Sequence, residues 1–368
     1  MSNTNAATAS TPGEQPSALV LGPRKEACHS DPLVHHGRHF GRTVHAMTNF
    51  KALITKGLLR MGELADEPED SFSAEERREH AIFNTLLQSI PGLEDRLMNG
   101  SAEEVAIISE LLQKGASAAR SDDTKGLKGP ILDWITPLGQ SLDPPLGRNV
   151  KVNRGFHHDT TGALLCPAGL DWSDPEIKAR LRSGEMAIAG DYWPLFLYRG
   201  CIYDPADPWN GLFRSQLLVS AFKHIFTSPS SVDKEPKATR AGNARIHGMT
   251  RVTSASIAYV ATQVRFALSS ASMFSRTDIV MDSERFYNSV FELFEDVDEY
   301  HEVNSLITWW NRQIFPSFSS AQTVVSRNSA LAKIKEKRAA LKAAALANRT
   351  AANASSGAAL SGAATGSH

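Results

Sequence analysis

A cluster of basic side chains between two predicted helices is the first place where the sequence could do chemistry. No helical or strand periodicity is present between residues 228 and 251. A connection of that length inside a compact domain is usually functional or disordered. Its cationic side chains and the small residues among them are Lys234, Lys237, Arg240, Gly242, Asn243, Arg245, His247, Gly248 and Arg251.

This basic segment leads into a predicted helix start at Thr253-Ser254. The first N–H groups of a helix are unpaired and carry partial positive charge, so neighbouring guanidinium groups favour an anion there. The segment therefore predicts a site for a phosphate group or nucleic acid, formed by Arg240, Arg245, His247, Arg251 and Ser254. No Walker or GxGxxG pattern accompanies it, and a solvated loop with incidental charge is the alternative.

A second candidate is the glycine-flanked segment 155–162. His157 and Asp159 have the spacing of the first two ligands of a facial-triad iron site, and His224 is a possible third ligand. His224 lies in a helical pattern, whereas the iron oxygenases with this motif place that histidine in a β-jelly-roll. Histidines of turns and of the core are therefore favoured, and we expect no cofactor and no metal. A metal-dependent enzyme using His157 and Asp159 is the alternative.

Histidines also cluster near the start of the chain. His35 and His39 would share one face of a helix and could bind a stray metal ion. Because no cysteine cluster or carboxylate lies nearby in the sequence, this cluster is interpreted as incidental.

Helices must position these side chains, because 3- and 4-residue apolar spacing dominates the sequence. The pattern begins at Val44 and continues to Met61. Capping boxes at Ser73 and Ser101 open two more helices, and Gly115 is expected to end the second. Stronger apolar faces follow within 212–226, 257–268, 286–297 and 303–314. We predict a mainly α fold with about eight to ten helices.

Residues 187–203 differ from the rest because they are aromatic and β-branched. The composition of this segment favours two short strands, forming a small β-hairpin, with Pro194 at an edge or break.

Composition and charge limit the classes of protein. The net charge is −1, which argues against a polybasic nucleic-acid binder but allows a local basic patch. The three cysteines are widely spaced and indicate reduced thiols. Neither a secretory signal nor an apolar run of the ~18 residues that a membrane span needs is present. We expect a soluble intracellular protein of the nucleus or cytoplasm that is not associated with a membrane.

Three segments are predicted along the chain. Residues 1–30 form a disordered tail, residues 31–320 form one helical globular domain, and residues 321–368 form a basic, Ala-rich helix followed by a disordered end. Residues 327–349 contain seven Lys or Arg residues against one acidic residue, Glu336.

Several stretches together resemble a known family. They are Gln113–Asp123, Gly162–Pro167, Phe226–Ser231, Ile257–Phe266 and Trp309–Pro316. In combination they are similar to a large family of uncharacterised proteins from mushroom-forming (basidiomycete) fungi, catalogued only as a domain of unknown function. The resemblance spans about residues 36–316 and implies one folded unit and a fungal origin. It supplies no catalytic residue, cofactor or substrate.

Two functions from different classes follow. The favoured one is a non-enzymatic binding module that contacts an anionic partner, nucleic acid or phosphate, through the basic segment 234–254. The basic C-terminal segment would add salt-sensitive affinity. The alternatives are the metal-dependent enzyme and a scaffold that binds a protein partner. The sequence does not specify the oligomeric state.

Overall fold

Helices dominate the structure. The computed structural model describes residues 31–228, 232, 242–276, 282–316 and 333–344, and the prediction of a mainly helical fold is confirmed over these ranges. In chain order the α-helices are α1 (Pro32–Thr43), α2 (Phe50–Met61), α3 (Ala74–Ser89), α4 (Leu93–Asn99), α5 (Ala102–Leu127), α6 (Pro130–Ile135), α7 (Asp159–Leu165), α8 (Pro175–Ser183), α9 (Gln216–Phe222), α10 (Asn243–Ile246), α11 (Ser254–Leu268), α12 (Ser283–Glu295), α13 (Tyr300–Ile314) and α14 (333–344). A π-helical turn at Lys223–Thr227 continues α9.

The larger hydrophobic core surrounds α11. Every residue of α11 from Ala255 to Leu268 is buried, which is the pattern of a helix enclosed on all sides. Helices α1, α5, α9 and α12 pack against it. Trp310 of α13 is fully buried in the same core and donates a hydrogen bond to the Phe213 carbonyl at 3.1 Å. α11 is therefore the rigid element from which the surrounding loops are positioned.

A smaller core joins the first helices of the chain. Phe40, Phe50, Phe83 and Leu112 meet there from α1, α2, α3 and α5. The predicted start of a helix at Val44 is wrong, because α1 ends at Thr43 and α2 begins at Phe50. Asn49 caps α2, and its side chain accepts a hydrogen bond from the Ala52 N–H at 3.2 Å.

Glycines allow α1 and α5 to approach closely. A Cβ on Gly37 would overlap the Leu112 carbonyl, and one on Gly115 would overlap the Val34 carbonyl. The prediction that Gly115 ends its helix is therefore wrong, because α5 continues to Leu127. Gly115 is a packing residue here and not a terminator.

The predicted β-hairpin at 187–203 is also wrong. No described residue belongs to a β-strand, and two successive 3₁₀ turns, beginning at Leu195 and Arg199, take the place of the hairpin. Pro194 has no N–H to donate to a ladder. Gly200 has a φ of 64°, and the next residue has a φ of 57°, values that a strand excludes. Two of the aromatic residues that suggested strands, Phe196 and Tyr198, lie in the core instead, whereas Tyr192 is exposed.

The ends of the chain are only partly described. The predicted tail at residues 1–30 lies outside the described residues, as do residues 317–332 and 345–368. Every residue of α14 is exposed. None of the described helices is both long enough and apolar enough to cross a membrane.

Candidate anion-binding cleft

Two of the predicted site residues lie together at the N-terminal end of α11. The Thr253 hydroxyl accepts from the Ser256 N–H at 3.1 Å, and the Ser256 hydroxyl accepts from the Thr253 N–H at 3.0 Å. This capping box satisfies two backbone donors. The N–H groups of Ser254 and Ala255 have no hydrogen-bond partner among the described residues. Arg251 lies just before this helix end and is exposed.

Arg251, Ser254 and Ala255 line one cleft of about 470 Å³, which we call the α11 cleft. Helices α1, α3 and α12 supply its other walls. Its one carboxylate, Glu295, is paired with Arg78 of α3 at 2.7 Å, which offsets the negative charge. The cleft thus combines an exposed guanidinium with two unpaired helical N–H groups.

Arg245, another predicted site residue, lies outside the α11 cleft. Arg245 is exposed on the short helix α10, outside the cleft lining, and forms no ion pair with a described residue. Arg240 lies outside the described residues. The structure therefore brings together Arg251 and Ser254, and does not place Arg245 in the same cleft.

His247 is held in a stack of imidazole rings. Its ring lies between those of His35 and His39 on α1, with centroid separations of 4.1 and 4.3 Å. Burial, followed by the nearby Arg42, lowers the pKa of His39 to about 4. Burial, followed by His39 and His35, lowers the pKa of His247 to about 3. The predicted cation at His247 is therefore a neutral packing residue near pH 7.

The histidine stack makes folding pH-dependent. The pKa values of His39 and His247 are lowered on folding from 6.5, so the unfolded chain binds protons that the folded stack does not. Their contribution to stability is fully present above pH 6.5 and is lost as the pH falls towards 4. We expect His247→Phe, which keeps an aromatic ring in the stack, to weaken this pH dependence. Urea unfolding between pH 7 and pH 4.5 measures it.

The matched control for the stack is His301→Phe, at an exposed position on α13. It should leave the pH dependence of the unfolding free energy unchanged. If His247→Phe unfolds with the same pH dependence as the unsubstituted protein, the stack does not exclude protons as described.

Beside the stack, a buried ionic network ties three helices together. Arg42 of α1 donates to both carboxylate oxygens of Asp123 on α5, at 2.7 and 2.8 Å. The Tyr259 hydroxyl of α11 donates to the same carboxylate at 2.5 Å. Arg42 is 2% exposed and Asp123 8% exposed. This network fixes α1, and with it one wall of the α11 cleft, against α5 and α11.

The side chains of the second candidate site, at His157 and Asp159, make contacts other than those of a metal centre. Asp159 accepts hydrogen bonds from Lys178 and Arg182 of α8, both at 2.9 Å, and the Lys178 contact is the main cause that lowers its pKa. His157 is exposed, and His224 packs edge-on against Trp134. Within the described ranges, no group of three or more His, Cys, Asp or Glu side chains could hold a metal ion. The structure therefore places the carboxylate of Asp159 in ion pairs.

In the described part of the chain the regular elements are all helical, and they surround one almost fully buried helix, α11. Residues 114–315, more than half of the chain, match the family of unknown function DUF6698, and the chain belongs to that family. This confirms the resemblance to a family of unknown function, with the match beginning at residue 114 and not near residue 36. No curated protein and no solved structure matches the chain.

Proposed function

We propose that this protein is a non-enzymatic binding module for an anionic polymer, most simply nucleic acid, that docks on the N-terminal end of α11. The observation that carries the proposal is the placement of exposed Arg251 and the unpaired N–H groups of Ser254 and Ala255 in one cleft. Backbone N–H groups at a helix N-terminus and guanidinium groups are both preferred ligands of phosphate.

A polymer explains the distribution of charge better than a single small anion. Arg245 is exposed outside the α11 cleft and would contact a second phosphate along a strand. Exposed basic side chains on α14 would contact phosphates whatever the nucleotide sequence. They are Lys333, Lys335, Lys337, Arg338 and Lys342. Contacts of this kind give affinity that decreases steeply with salt.

The test is binding of fluorescently labelled single-stranded and double-stranded DNA and RNA to the full chain across a salt series. We expect salt-dependent binding that weakens in the Arg245→Ala/Arg251→Ala double variant. Each lost phosphate contact should reduce the slope of log K against log salt by about 0.7–0.9. The double variant should therefore lose about 1.4–1.8 from the slope.

Two controls separate the cleft from general charge. Arg38→Ala/Arg285→Ala removes two cations at other surfaces and should bind almost as the unsubstituted chain does. Replacing the five basic side chains of α14 with glutamine should weaken binding of every nucleic-acid sequence to the same extent. If no nucleic acid binds at low salt, or if the Arg245/Arg251 variant binds unchanged, the proposal is wrong and a protein partner becomes the better hypothesis.

Two finer attributes rest on the sequence alone. We infer a location in the nucleus or cytoplasm from the wide spacing of the three cysteines, which is typical of reduced thiols. We infer a basidiomycete origin from the resemblance described above.

A further inference from the structure

A second cavity, of about 410 Å³, lies near the opposite end of α11 and is lined by basic and hydroxyl side chains. We call it the basic pocket. One wall is a stripe of α5 and the residue after it, whose members repeat at helical spacing. They are Ser117, Arg120, Ser121, Thr124, Lys125 and Lys128. The volume lies within the range of about 300–1,000 Å³ that is typical of small-molecule sites.

The facing wall contains a buried lysine. Lys151 is 4% exposed, and its ammonium donates to the Ala271 carbonyl at 2.7 Å and to the Phe266 carbonyl. Just behind it, Arg154 is fully buried and donates to the Ala267 carbonyl at 2.9 Å. Neither cation has a carboxylate partner among the described residues. The last carbonyls of α11 offset part of this charge, because a helix C-terminus carries partial negative charge.

The acidic residues of α5 do not balance the basic pocket. Asp122 pairs with Arg38 at 2.6 Å, and Asp123 pairs with Arg42. Both carboxylates are thus directed towards α1. No carboxylate is present in the lining of the basic pocket, and Arg120 has no ion-pair partner within the described part of the chain. The lining of the pocket therefore carries a net positive charge, which concentrates anions.

Two phenylalanine rings also line the basic pocket. The rings of Phe266 and Phe274 lie edge to face at 5.3 Å. Arg120 lies 5.3 Å from the centroid of the Phe274 ring, and Lys151 lies 3.3 Å from that of Phe266. A ligand here meets the cations and hydroxyls of α5 on one side, and Lys151 with two aromatic rings on the other.

We propose that the basic pocket binds a small phosphate-bearing molecule, with its phosphate among Arg120, Lys128 and Lys151 and its organic part against Phe274. This site is separate from the α11 cleft and takes a small ligand, whereas the cleft takes a polymer. Nothing in this proposal depends on nucleic-acid binding at Arg251.

The test measures binding of inorganic phosphate, pyrophosphate and AMP to the full chain by calorimetry. We expect saturable binding of at least one probe, with one site per chain. Ser121 is exposed on α5, so Ser121→Glu adds a negative charge to the pocket without removing a packed group. That variant should bind the phosphate probe at least about tenfold more weakly, because like charges repel each other.

Ser121→Gln is the matched control, since it has nearly the same size without the charge and should bind almost as the unsubstituted chain does. Arg120→Ala should also weaken binding, whereas Lys51→Ala, at an exposed position on α2, should not. Failure of all three probes to bind, or equal binding by the Glu and Gln variants at Ser121, would overturn the proposal. The Arg245→Ala/Arg251→Ala variant should retain phosphate binding, which separates this site from the α11 cleft.

The protonation of Lys151 provides a second readout. Burial, followed by the neighbouring Arg154 and Lys128, lowers the pKa of Lys151 to about 7. A phosphate beside the ammonium raises that pKa, so binding near pH 7 should be accompanied by proton uptake. Calorimetry in buffers of different ionisation enthalpy detects the uptake. The probes can release a proton of their own on binding, so the uptake by Lys151 is the difference between the unsubstituted chain and Lys151→Met. Equal proton uptake by the two chains near pH 7 would place the anion away from Lys151.

Discussion

Replacing Asp123 with alanine should lower the free energy of unfolding by about 3–5 kcal/mol, because it leaves the buried guanidinium of Arg42 without a counter-charge. Arg42 is 2% exposed, and its Nη1 atom already lacks a hydrogen-bond partner among the described residues. The Tyr259 hydroxyl would lose its acceptor in the same variant. Urea unfolding of the full chain, followed by circular dichroism, measures the loss.

Asp122→Ala is the matched control, one residue away on the same helix. Its carboxylate forms an ion pair with Arg38, but the two side chains are 58% and 28% exposed. Exposed pairs contribute about 0–1 kcal/mol, so this variant should unfold almost as the unsubstituted protein does. The difference between the two variants isolates the effect of burial from that of losing a carboxylate on α5.

A variant without the buried charge tests the cause. If the cost of Asp123→Ala arises from an unpaired guanidinium, Arg42→Met combined with Asp123→Asn should recover much of the lost stability, because no buried ion remains. Asparagine also keeps an acceptor for Tyr259. Should the double variant be no more stable than Asp123→Ala, the network does not act through charge compensation.

Helix α11 connects the two proposed binding sites physically. Its free N–H groups at Ser254 and Ala255 line the α11 cleft, and its Phe266 and Ala267 carbonyls hold Lys151 and Arg154 near the basic pocket. The helix dipole favours anions at the first end and cations at the second. At the second end it therefore stabilises the cations that would in turn attract a phosphate. The same buried helix thus serves opposite electrostatic roles at its two ends.

Periodicity in the sequence predicted the helices that have an apolar face. It also placed Arg251 and Ser254 at the start of α11, because the change from a polar segment to a regular apolar pattern marks a helix start. The imidazole stack was not predicted, since His247, the residue after α10, meets His35 of α1 only in the folded chain. The shared face of His35 and His39 was visible in the sequence, but the ring between them was not.

The basic pocket was missed because of one error about a helix end. With Gly115 interpreted as a terminator, the stripe from Ser117 to Lys128 had no helical register, so its hydroxyl and cationic residues did not form a face. The predicted hairpin at 187–203 failed for a related reason, since aromatic content indicates burial without specifying a strand. Local composition cannot report which backbone a residue will approach.

Gly115→Ala should destabilise the protein by about 2–3 kcal/mol although alanine is the better helix former, because a methyl group there forces two backbones apart. Gly115 is buried on α5, and a Cβ would overlap the carbonyl oxygen of Val34 on α1. Separating α1 from α5 also strains the Arg42–Asp123 pair, which spans the same two helices. Urea unfolding of the full chain gives the change in stability.

Gly126→Ala is the control on the same helix, because its added Cβ would lie 3.5 Å from the nearest atom, the His224 Nε2, an ordinary contact. That variant should lose no stability and could gain up to about 1 kcal/mol from helix propensity. If Gly115→Ala were as stable as Gly126→Ala, the close approach of α1 to α5 would be wrong. Gly115 would then be dispensable for packing, and the position of α1 that forms one wall of the α11 cleft would need another cause.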